Sequence, residues 1–119
     1  MRLRPEQHLR SQGDFRRARE QGRRYQCDAF TFWWWQNPDS AAVLRRVGVV
    51  ASTAAVGIAV QRNRAKRRLR ELFRRHQELL PVGGDLVIVA RRALNRLPFT
   101  VLEERFTAIC RQLPAPSHA

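Results

Sequence analysis

The sequence predicts a single α+β domain, a mixed sheet of three to four strands covered by about three helices. Three observations carry that reading. The run Ala29-Phe30-Thr31-Phe32-Trp33-Trp34-Trp35 has the aromatic composition of a strand. Leu86-Val87-Ile88-Val89-Ala90 is an unbroken apolar stretch of strand length. Between and after them lie two segments whose apolar residues recur at helical rather than alternating spacing. With 119 residues the chain can bury an ordinary core without metal or disulfide support.

The first ten residues are polar and are expected to be mobile, as are residues 114–119, where Pro114 and Pro116 end ordered structure. Ser11 or Asp14 can cap a helix over 15–21 that Gly22 terminates, with Phe15 as its main apolar anchor. The aromatic strand over 29–35 follows, then a turn at Asn37-Pro38-Asp39-Ser40 and a second strand over 44–51. Ala54 to Gly57 leads into a strongly basic helix that ends near Pro81. Val82-Gly83-Gly84-Asp85 makes a turn into the strand over 86–90, whose continuous apolar character places it centrally in the sheet. Pro98 and Thr100 introduce a last helix, with Thr100-Val101-Leu102-Glu103 matching a capping box and Leu102, Phe106, Ile109, Cys110 and Leu113 forming its stripe. No internal repeat or linker interrupts this order.

The basic helix is the strongest functional signal. From Arg62 to Arg75, fourteen residues carry eight cations and one acid. At 100° per residue, Leu69, Leu72, Phe73, His76, Leu79 and Leu80 fall within about 80° of Ala65, so one face can dock on a core. Lys66, Arg67, Arg70 and Arg74 take the other side, flanked by Arg64, Arg68 and Arg75. Arg62 projects toward the apolar sector, so either it precedes the first full turn or its alkyl stem lies along the core. A solvated face laced with ion pairs is the usual explanation of a charge run, but Glu71 is the only acid from Ser40 through Gln77. The cations therefore repel one another and call for an external polyanion. The whole chain agrees, with a formal net charge of +13 that points to nucleic acid or an anionic surface. The planar arginine guanidinium suits phosphate, and codon bias is the competing explanation of 22 Arg to one Lys.

The aromatic strand offers a second surface. Phe30, Phe32 and Trp34 share one side of it, Thr31, Trp33 and Trp35 the other. One set is expected to pack under the helices and the other to line an open face where unpaired bases stack, with Phe15 as a wall of the groove. That all five aromatics are simply core is the blander reading.

Enzymatic machinery is absent from the pattern. There is no Ser-His-Asp order, no HExxH, no GxxxxGK[ST] and no convincing pair of acids, since Glu103 and Glu104 are adjacent on a helix and point apart. His76 lies on the apolar stripe and reads as a satisfied core histidine. Cys27 and Cys110 are far apart and His8, His76 and His118 form no cluster, so neither a zinc site nor any other protein-held metal is expected. Both thiols read as structural, which fits a reducing cytoplasm. No signal peptide or membrane span is legible.

Ala59-Val60-Gln61-Arg62-Asn63-Arg64-Ala65-Lys66-Arg67-Arg68-Leu69-Arg70-Glu71 closely resembles the signature of the bacterial ribonuclease P protein subunit, in which an Ala-Val pair precedes Arg-Asn-Arg, Lys-Arg and Arg-Glu at these spacings. The resemblance extends to Asp14-Phe15, Gly22, the aromatic strand, Arg46-Val47-Gly48-Val49 and Asp85. It implies a basic α+β subunit with a left-handed βαβ crossover, of the kind found in a domain of a small-subunit ribosomal protein. Such a subunit binds a catalytic RNA and helps it remove the 5′ leader from precursor tRNA. The RNA carries the chemistry with bound magnesium, so the chain would be part of an endoribonuclease without holding a catalytic group. By position, Arg62, Asn63, Arg64, Lys66, Arg67 and Arg70 would contact the RNA subunit with Arg68 in support, while Phe15, Thr31 and Trp33, with Trp35 beside them, would line the leader cleft. Where the family commonly has a Lys pair after the second strand this chain has Ser52-Thr53, and Ile58 stands where it has Asn. Arg45 and Arg46 are the candidates to supply the missing phosphate contacts. The rivals are a general RNA-binding or ribosomal-type protein without a processing role and, more weakly, a membrane-surface protein, whose helix would need the apolar stripe that the core uses.

Overall fold

The computed structural model describes residues 3–36 and 44–113, so the turn predicted at 37–40 and the tail over 114–119 lie outside the described residues. Four strands, β1 (Arg23–Gln26), β2 (Phe30–Gln36), β3 (Arg46–Val50) and β4 (Gly84–Ala90), form one sheet in the order β1-β2-β4-β3. Helix α1 (Gln12–Gln21) precedes β1, α2 (Thr53–Val56) and α3 (Ala59–His76) connect β3 to β4, and α4 (Phe99–Cys110) follows β4. β1 with β2 and β2 with β4 run antiparallel, whereas β3 and β4 are parallel neighbours joined by the helical crossover. The sheet is mixed, and the predicted α+β class holds.

β4 is central, and six of its seven residues are buried, as its unbroken apolar run requires of a strand covered on both faces. The register aligns Phe32 with Ile88 and Trp34 with Leu86, so these four side chains share a face with Phe30, Val47 and Ala90. Against that face pack Leu69, Leu72 and Phe73 of α3 and Leu102, Phe106, Ile109 and Cys110 of α4, closing the main core. Phe106 sits at its centre, its ring 5.6 Å from that of Phe32. Truncating so buried an aromatic typically costs about 3–5 kcal/mol.

Helix α1 covers part of the opposite face. Ala18 is fully buried there with Val87 and Leu9, and Phe15, Trp33, Trp35 and Val89 pack around them. The face expected to be open is thus half roofed. Gly48 of β3 makes the roof possible, because a Cβ at that position would overlap the Phe15 ring.

Several local expectations are corrected. Ser11 is the cap of α1, its Oγ accepting from the amides of Gly13 and Asp14, which moves the helix start to Gln12. β1 is a strand that Arg-Arg-Tyr-Gln did not announce. It pairs at the sheet edge and places Tyr25 edge-to-face on Phe32 at 6.0 Å. The basic helix stops at His76 and tightens into a 3-10 turn over Gln77–Leu79, which leaves Leu79 47% exposed while Leu80 stays in the core. Helix α4 begins one residue before Thr100, with Pro98 at the cap and no side-chain cap bond, so no capping box forms. Within residues 3–10, Gln7 and Leu9 are anchored to the body: the buried Gln7 side chain donates to the Arg45 carbonyl and to Gln77 Oε1, and the Leu9 amide donates to the Val47 carbonyl, while Arg4, Pro5, Glu6 and Arg10 are exposed.

Candidate nucleic-acid interface

The register of α3 follows from its composition. Ala65, Leu69, Leu72 and Phe73 are buried, which turns Asn63, Arg64, Arg67 and Arg70 to solvent, with Lys66 half-exposed beside them. Among the described residues no carboxylate reaches ion-pair distance of Arg62, Arg64, Lys66, Arg67 or Arg70. The row is therefore a cationic surface without acidic compensation among the described residues, carried on a helix that its buried stripe holds in register. Its field extends to the N-terminal segment, where burial and then the charges of Arg70 and Arg10 hold the His8 imidazole below its usual pKa.

Arg62 lies inside the first turn, its amide bonded to the Ile58 carbonyl, which removes the option that it precedes the helix. It is half-buried, with Nε shielded and without a partner, so its stem lies along the protein.

Arg68 is not a supporting cation on this surface. Nη1 donates to the Leu94 carbonyl at 2.6 Å and Nη2 to that of Leu97, so the guanidinium ties α3 to the segment before α4. Those two carbonyls flank the 3-10 turn Leu94–Arg96 and need donors, and Arg68 is within reach. Burial, then the neighbouring charge of Arg64, lowers its pKa. Asn95 reinforces the joint by donating to the backbone and side-chain oxygens of Gln61.

At the end of α3 the lone acid finds two partners. Arg74 bonds both Glu71 oxygens at 2.6 and 2.7 Å, and Arg75 bonds one at 3.0 Å. Hydrogen bonding from Arg74 first, then from Arg75, depresses the Glu71 carboxyl to about 2. The cations of α3 without an acidic partner among the described residues thus lie N-terminal to Glu71.

Arg45 and Arg46 both have partners within the protein. Arg46 Nε and Nη2 grip Asp85 at 2.9 and 2.8 Å, and Nη1 lies 3.5 Å from Asp14. Asp85 is only 3% exposed, and a buried carboxylate without a cation is costly, so the arginine opposite it in the β3–β4 register is committed to it. Arg45 Nε donates to the Leu80 carbonyl at 2.7 Å. The Arg46 guanidinium is thus engaged by carboxylates, whereas Arg45 is anchored through Nε alone.

On the α1 face, Phe15, Trp33 and Trp35 meet in one cluster, half-buried, as strand alternation required. Thr31 shares the face but is 7% exposed and offers little surface. Three arginines that the sequence reading left aside lie on the indoles: Arg17 over Trp35, and Arg19 and Arg24 over Trp33. The signal for Arg24 was its register opposite Trp33, legible only once β1 is known to be a strand. Also missed was a cavity of about 510 Å³ beyond the end of β4, lined by Arg91, Arg92 and Arg96 with Asp28 and Ser52.

His76 and the two thiols are held by packing and local partners. His76 Nε2 lies 2.8 Å from Glu103 Oε2 and its ring packs on Phe106, so the ring has a partner as expected but sits partly exposed at the edge of the core rather than in it. Burial pushes the Cys110 thiol up to about 12 and raises that of Cys27 as well. Among the described residues no group of three or more His, Cys, Asp or Glu could hold a metal ion, and no helix is long and apolar enough to cross a membrane.

The chain is similar to known proteins over most of its length. Residues 3–114 match the family model described as Ribonuclease P. The chain is 41% identical over 116 residues to a ribonuclease P protein component of Chloroflexus aurantiacus, covering 92% of this chain and 82% of that one. A ribonuclease P protein component of Desulfovibrio desulfuricans is 41% identical over 84 residues, 71% of this chain and 63% of that one. The solved ribonuclease P protein from Thermotoga maritima superposes with a TM-score of 0.76 at 27% identity, covering 91% and 98% of the two chains. The fold, the α3 motif and these likenesses converge: the chain belongs to the ribonuclease P protein family.

Proposed function

We propose that the chain is the protein subunit of a ribonuclease P ribonucleoprotein, binding the catalytic RNA through α3 and the single-stranded 5′ leader of precursor tRNA in the groove beside α1. The observation that carries this reading is the row Arg62, Asn63, Arg64, Lys66, Arg67 and Arg70, held rigid by the buried stripe and without acidic partners among the described residues. A backbone held in this register presents the guanidinium groups to phosphates without first ordering the helix, and their binding releases the counterions that make it salt-dependent. Phe15, Trp33 and Trp35, with Thr31 at the floor, supply a second surface on the opposite face of the sheet. One face would thus hold the RNA subunit and the other the substrate. Hydrolysis of the leader phosphodiester would be carried by magnesium bound mainly to the RNA, whose role is to polarise phosphate and activate water. The chain's own residues would position and discriminate.

Reconstitution with the cognate RNA tests this. At low magnesium, adding the protein raises the rate of precursor-tRNA cleavage, and protein alone cleaves nothing. Equal turnover with and without protein refutes the reading.

A further inference from the structure

Two indoles on the α1 face carry guanidinium groups. Arg19 lies 5.1 Å from the Trp33 ring centroid, and Arg24, the cross-strand partner of Trp33, lies 5.8 Å from it. Arg17 lies 5.4 Å from the Trp35 ring. All three are within the range at which the ring quadrupole attracts a cation. A guanidinium laid on an indole is held in place while its N–H edge stays available, and that edge bonds phosphate oxygens in pairs.

Arg19 and Arg24 are exposed, and among the described residues neither has a carboxylate partner, whereas Arg17 shares Asp14 with Arg46. Arg24 also donates to the Gln26 side chain, which fixes it further. Arg19 lines a recess of about 410 Å³ with Gln12, Phe15, Arg16 and Glu20, so it shares one depression with the aromatic wall of the groove. Glu20 is the single carboxylate of that lining and is outnumbered by the two arginines.

We propose that Arg19 and Arg24, assisted by Arg17, form a phosphate-binding site for single-stranded RNA, in which Trp33 and Trp35 are shelves for arginine rather than platforms for bases. The inference rests on the reading that this groove takes the leader. It gives a contact that follows the backbone, weakens with salt and tolerates any leader sequence.

The test uses holoenzyme reconstituted with the cognate RNA and precursor tRNAs whose leaders carry either abasic nucleotides or single neutral methylphosphonate linkages. Abasic leaders bind within about twofold of the intact substrate, whereas one neutral linkage weakens binding about tenfold. Arg19→Gln weakens the intact substrate by a similar factor and removes the extra loss at that linkage, because a contact already deleted cannot be lost again. Arg19→Lys restores part of the affinity, keeping the charge without the flat fork. Wild-type affinity in Arg19→Gln, or abasic leaders that bind tenfold worse while neutral linkages change nothing, overturns the proposal. Equal wild-type affinity for leader-bearing and leaderless tRNA instead overturns the leader reading beneath it.

Discussion

Arg46 and Asp85 face each other across the parallel β3–β4 pair and close a bidentate ion pair at 2.8 and 2.9 Å, with Asp14 of α1 a third member at 3.5 Å. One guanidinium therefore joins α1, the edge strand and the central strand. A residue that looked available to RNA is part of the scaffold that sets the groove.

Removing the carboxylate should be costly. Asp85→Asn leaves Arg46 with Asp14 alone, and a loss of about 2–3 kcal/mol is expected, less than for a fully buried pair because the Arg46 side chain is partly exposed. The urea midpoint should fall with an unchanged m-value, and an unmoved midpoint would show that the pair contributes nothing net.

The α3 cations should divide into two kinds. Reversing the charge of Arg64, Lys66 and Arg67 should weaken assembly with the RNA subunit and shallow its salt dependence by roughly one unit per lost phosphate contact, with little change in melting. Arg68→Ala should do the opposite, lowering stability by about 1–3 kcal/mol through the two abandoned carbonyls while leaving the salt slope alone. Titrations across a range of potassium concentrations, beside thermal melts, separate the two.

Glu71 should contribute to acid sensitivity. Its carboxyl titrates near 2 in the folded chain against an ordinary value of 4.5, so its contribution is complete above about 4.5, shrinks below it and is gone under about 2. Because the group is a third exposed, about 0.5–1 kcal/mol at neutral pH is the expected size. The stability gap between the natural chain and Glu71→Gln should narrow across that window, and a gap that stayed constant would contradict the assignment.

The thiols should be poor nucleophiles. At pH 8, iodoacetamide should leave Cys110 unlabelled and modify the half-buried Cys27 slowly, while denaturant brings both to the rate of an unhindered cysteine. Peptide mass spectrometry reads the two sites separately, and rapid native labelling of Cys110 would mean that α4 opens readily.

Much of the fold was legible because it rests on periodicity. The stripe Ala65, Leu69, Leu72 and Phe73 could face only inward, and the alternation of Phe30, Phe32 and Trp34 with Thr31, Trp33 and Trp35 sorted the aromatics correctly between the two faces. β1 was illegible because an edge strand needs no apolar alternation. Its hydrogen bonds come from β2, and Arg23, Arg24 and Gln26 remain exposed. Thr100 was misread because a capping pattern is local, whereas Pro98 with its fixed φ sets where α4 starts.

The candidate site divides along the same line. That α3 would present cations on one side and bury apolar residues on the other is a property of residue order, since helical pitch alone assigns each side chain to a face. Which cations remain open to a partner is not. Arg46, Arg68 and Arg74 differ little from Arg64 or Arg70 in sequence, yet Asp85, the carbonyls of Leu94 and Leu97, and Glu71 reach them in the folded chain. Except for Glu71, one helical turn away, these partners lie 26 to 39 residues distant along the chain. Desolvation makes a buried polar group claim whatever donor the packing brings near it, so the chain path, rather than the local motif, selects the arginines left to meet RNA.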